Sequence, residues 1–66
     1  MAGNTRGKIK EEMEGLHRNL DWSSVHAQKI QLLVGDVHPH IVDCFRAMDE
    51  QFRQMDELLM GIYATI

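Results

Sequence analysis

A chain of 66 residues, 44% apolar and 26% charged, with five Gly and one Pro, is composed for a single folded domain, which excludes a disordered or multidomain reading. Its formal net charge of −3 argues against a broad phosphate-binding footprint, and its lone cysteine, Cys44, excludes an internal disulfide. The first ten residues lack the apolar stretch of a signal peptide and the longest apolar runs, such as Leu32 to Val34, cannot span a bilayer, so a cytoplasmic protein without membrane insertion is expected.

In chain order, residues 1–4 read as a flexible tail and residues 5–34 as a first helix, with Asn4 or Thr5 able to cap its free amides. Ile9, Met13, Leu16, Leu20, Ser23, Ala27, Ile30 and Val34 recur at alternating steps of four and three, a spacing that only a helix places on one face. Glu14 and Arg18 form an i,i+4 pair, and Gly15 weakens the helix unless a close neighbour requires it. The weakest point is Asp21-Trp22-Ser23-Ser24, where Asp and Ser compete with the backbone for hydrogen bonds and a break would give three helices. The apolar phase passes through it unbroken, so continuity is expected.

Gly35 falls where a helix ends in the left-handed conformation, and Asp36 follows as a candidate N-cap, making residues 35–36 the turn and 37–65 a second helix with Pro39 in its first turn. Val37, Ile41, Phe45, Met48, Phe52, Met55, Leu59, Ile62 and Ile66 carry its apolar row, and Asp49, Arg53 and Glu57 form surface pairs. The two rows mirror one another about Gly35. Ala27/Phe45, Ser23/Met48, Leu20/Phe52, Leu16/Met55 and Ile9/Ile62 are pairs whose numbers sum to 71 or 72. Small residues oppose bulky ones, as packed layers require. An all-α, coiled-coil-like antiparallel hairpin is therefore expected over residues 1–66, in preference to a continuous rod that must absorb Gly35 and an interior Pro39.

One helix–helix seam cannot offset the entropy of ordering the chain, which calls for further burial. Apolar residues outside the seam supply it: Trp22, Val25, Leu32 and Leu33 on the first helix, and Val42, Leu58, Met60 and Tyr63 on the second. Two hairpins forming a four-helix bundle are the simplest outcome. In that expectation the homodimer contact uses Leu33, Val42 and Leu58, which flank the seam. The outer row of Trp22, Val25, Lys29 and Leu32 is left for another protein.

Chemistry-bearing patterns are sparse. His40 and Cys44, four apart, with Asp36 one turn earlier and His38 close by, could present ligands to zinc, but the spacing lacks the paired ligands of zinc sites and no metal or other cofactor is expected. There is no phosphate loop, nucleophile elbow or HExxH, and the carboxylates stand at solvated helix-surface spacing, so catalysis is not expected. Among the methionines, Met13, Met48 and Met55 read as seam residues and Met60 as a modest contact.

The functional expectation is a small non-enzymatic interaction or assembly protein: an adaptor, scaffold or inhibitor acting through protein contacts. The alternative is nucleic-acid binding through Arg6, Lys8, Lys10 and Arg18 at the open end of the hairpin. In length and hairpin layout the chain resembles the plasmid Rop-type RNA-binding bundles, a likeness of architecture without a shared motif.

Overall fold

The computed structural model describes residues 4–66. Two helices, α1 (Asn4–Val34) and α2 (Pro39–Thr65), pack against each other as an antiparallel hairpin. Asn4 and Thr5 are already helical, so capping by either gives way to an earlier helix start, and the rest of the expected tail lies outside the described residues. No described helix is long and apolar enough to cross a membrane.

α1 runs unbroken through Asp21-Trp22-Ser23-Ser24. The reason is tertiary: the Ser24 hydroxyl donates to Asp49 on α2, so it does not compete for the backbone of its own helix. Gly35 ends α1 with φ 58°, and its amide still reaches Gln31 O at 3.0 Å.

The turn is longer than two residues. α2 begins at Pro39, with His38 at the N-cap position (φ −135°, ψ 80°) and no side-chain cap. Pro39 itself accounts for the shift from the expected start at 37: its ring keeps the preceding residue out of the α region, so His38 must be extended and Asp36 cannot cap this helix. Pro39 instead takes the first helical position, where its missing amide removes no intrahelical bond. Ile41 and Val42 donate to His38 O at 3.0 and 3.2 Å and close the first turn.

The seam is rotated from the expected one. Its centre holds Met13, Leu20, Ala27 and Val34 against Phe45, Phe52 and Leu59, all buried or half-buried. One side is closed by Lys10, His17, Ser24 and Gln31 facing Tyr63, Asp56, Asp49 and Val42, none of them exposed. The opposite side is open. There Ile9, Leu16, Met48 and Met55, expected to face one another inside the seam, form its solvent-facing edge instead, with Leu16 49% and Met55 47% exposed.

The hairpin consequently encloses very little apolar matter. Ala27 and Leu59 are its only buried hydrophobic residues among those described, at 3% and 8% exposure, and no side chain is fully buried. Gly15 is not held by a close neighbour: a Cβ there would meet nothing nearer than Arg18 Nη2 at 3.8 Å.

Candidate functional site: an open apolar face

An α-helix advances 100° per residue, so neighbours such as Ser23 and Ser24 fall on either side of the central row. Rows seven residues apart then divide the hairpin lengthwise. Lys10, His17, Ser24 and Gln31 make one edge of α1, and Ile9, Leu16, Ser23 and Ile30 make the other. On α2 the matching rows are Val42, Asp49, Asp56 and Tyr63, and Ile41, Met48, Met55 and Ile62. Because the helices are antiparallel, like rows meet on the same side, which gives the molecule one polar and one apolar face.

The polar face is internally satisfied. His17 Nδ1 donates to Asp56 Oδ1 at 2.6 Å. Asp49 accepts from the Ser24 hydroxyl, from Gln28 Nε2 at 3.3 Å and from Arg53 at 3.1 Å. The Ser24 hydrogen bond holds the Asp49 carboxyl below the usual carboxylate range, with help from Gln28 and Arg53 and against the opposing effect of burial. At the open end, Tyr63 OH donates to Glu14 at 2.8 Å and Lys10 Nζ lies 5.1 Å from the Tyr63 ring centre. Donation to Glu14 pushes the Tyr63 phenol up, because ionisation would break that bond beside a negative charge. No described buried side-chain polar atom lacks a partner.

The apolar face is hollowed and has no such closure. Leu16, Met55 and Ile62 surround one depression floored by Leu20 and Leu59. Ser23, Ile30 and Met48 surround the next, floored by Ala27, Phe45 and Phe52. Leu58 borders the first hollow and His26 the second, with Leu33 one heptad beyond His26 on the same rim.

Of the residues expected at the homodimer contact, Val42 does not share a surface with Leu33 and Leu58. Leu33 and Leu58 lie beside the open apolar face, and Leu33 is 86% exposed. Val25 borders a hollow on the polar face, while Val42 and Tyr63 belong to its ladder and Met60 lies one heptad from Arg53 on that side. Trp22 and Leu32 point away from the seam; Trp22 is 61% exposed and stacks on His26 with ring centres 5.9 Å apart. The residues that do gather are Ile9, Leu16 and Ile30 with Ile41, Met48 and Met55, which apolar periodicity alone places in the seam. A signal for the true arrangement exists: His17/Asp56 and Ser24/Asp49 are hydrogen-bonding partners whose numbers sum to 73, a second mirror register beside the apolar one.

The basic residues are dispersed. Lys8 and Lys10 lie 200° apart around α1 by helical geometry, Lys10 is turned onto Tyr63, and Glu11, Glu12 and Glu14 separate them from Arg18. Among the described residues the i,i+4 pair Asp49–Arg53 closes, whereas Glu14–Arg18 and Arg53–Glu57 form no ion pair. His40 Nε2 and Cys44 Sγ approach to 3.8 Å on an exposed surface, and no set of three potential metal ligands assembles among the described residues.

The chain matches no family model, no curated protein and no solved structure.

Proposed function

We propose that this protein is a non-enzymatic, self-associating interaction module whose open apolar face is its working surface. One observation supports this above the rest: the hairpin buries Ser24 and Asp49 between its helices while Ile9 and Leu16 on α1 and the whole row Ile41, Met48, Met55 and Ile62 on α2 stay exposed. In a protein that worked alone the hydrophobic effect would favour the reverse rotation of both helices. An exposed apolar strip with a polar rim is the usual mark of an association surface. The module acts in the cytoplasm as an adaptor, scaffold or inhibitor. The outer row around Trp22 and Leu32 offers a second contact for another protein once self-association is complete.

Nucleic-acid binding has weaker support, because the four cations do not share a face. Dilution tests the proposal. Helical circular dichroism and thermal midpoint should fall together as the protein is diluted, since folding and association are coupled in an obligate oligomer. A thermal midpoint independent of concentration contradicts it.

A further inference from the structure

The geometry points to a second copy of this chain as the occupant of the open apolar face, laid on it head to tail: α1 runs antiparallel to the partner's α1, and the two Gly35 turns project from opposite ends. This rests on the self-association proposed above and adds to it the occupant's orientation.

The exposed area leaves room for one interface of standard size. A compact monomer of 7.6 kDa exposes about 4300 Å², whereas this chain exposes 5214 Å². The excess of roughly 900 Å² is close to the ~800 Å² that one partner contributes to a standard interface. The face is long and narrow, on a backbone whose Cα trace extends 55 Å by 15 Å by 12 Å, so an occupant must present an equally long apolar strip. A second hairpin does so.

Layer volume chooses between the two symmetric arrangements. Along the face the layers are Ile9/Ile62, Leu16/Met55, Ser23/Met48 and Ile30/Ile41. If the turns lie at the same end, each layer meets its own copy, and the layer with two Ser23 and two Met48 side chains is left much smaller than its neighbours. If they lie at opposite ends, Leu16/Met55 meets Ser23/Met48 of the other copy and the isoleucine layers meet each other. All inner layers then have similar volume, as a constant helix spacing demands.

The rims agree. With opposed turns, Glu12 of one copy comes level with His26 of the other, an acid beside a basic group, and Leu58 comes level with Cys44. With aligned turns, Glu12 is instead placed against Leu58, which sets a carboxylate on an apolar side chain. On the twofold axis of the opposed arrangement, Asn19 faces its own copy and Gln51 faces its own copy.

Those self-facing positions supply the test. In a Cys44→Ala background, Asn19→Cys and Gln51→Cys are made separately in the full chain, and each is treated with a short-spacer bis-maleimide while sedimentation monitors mass. Opposed turns predict that each single variant crosslinks to itself in high yield. Aligned turns place Asn19 against Gln51, so crosslinking only in a mixture of the two variants, with dimeric mass retained, overturns the orientation and leaves self-association standing. A dimer that crosslinks in neither experiment overturns the use of this face. Monomeric mass overturns both the orientation and the reading beneath it.

Discussion

Ser23 and Ser24 are consecutive, yet they serve opposite sides of the molecule. Ser24 is buried and donates to Asp49, whereas Ser23 lies in a hollow of the open face with Met48 and Ile30. The 100° step between them is the angle between the closed polar seam and the surface argued to take a second copy. Replacing each by alanine separates the two roles. Ser24→Ala removes a hydrogen bond to a charged group and should cost about 1–3 kcal/mol in chemical denaturation, while Ser23→Ala removes only a hydroxyl from an apolar layer and should be neutral or slightly stabilising.

The pH response follows from Asp49. Its carboxyl titrates below the usual range in the folded chain, so the unfolded chain binds the proton more readily. Asp49 therefore adds stability above the unfolded carboxylate pKa of about 3.9, and this is lost as pH falls through the lower folded value. Urea midpoints from neutral to acid pH should show a decline that is shallower in Asp49→Asn, which has no carboxylate to protonate. An equally steep decline in the variant would mean that other groups carry the response.

Four positions with backbone roles predict changes of opposite sign. Gly35 has φ 58°, so Gly35→Ala should destabilise by about 1–2 kcal/mol. Gly15 and Gly61 have no close neighbour that a methyl group would strike, so alanine at either should stabilise by up to about 1 kcal/mol. His38 occupies an N-cap position without capping, and His38→Asp should add about 1 kcal/mol. Thermal midpoints at one fixed protein concentration check all four, since association would otherwise shift them.

Charge on the open face should prevent association. Leu16→Glu or Met55→Glu places a carboxylate in an apolar layer of each copy, and the dimer dissociation constant should rise at least about a hundredfold. Trp22→Ala lies on the outer surface and should leave the mass unchanged. A Trp22→Ala monomer would place the self-association surface on the wrong side of α1.

The hairpin, its turn at Gly35 and the continuity of α1 were legible in the sequence because they depend on apolar phase and on one glycine. The start of α2 was misplaced by two residues because the influence of Pro39 on His38 outweighs the capping preference of Asp36. The rotation of the seam was harder to read. Apolar periodicity locates a row but not which of its edges a neighbour covers, and the rotation is decided by pairs such as His17 with Asp56 and Ser24 with Asp49, whose partners are distant in the chain. Val42 parts from Leu33 and Leu58 for the same reason: flanking the seam does not fix on which of its two sides a residue lies.

Sedimentation equilibrium of the full chain at micromolar concentration decides whether the open apolar face takes a second copy. The expected mass is twice the 7.6 kDa of the chain, falling to that of one chain in Leu16→Glu. A wild-type species of single-chain mass that keeps its full helical content would contradict it.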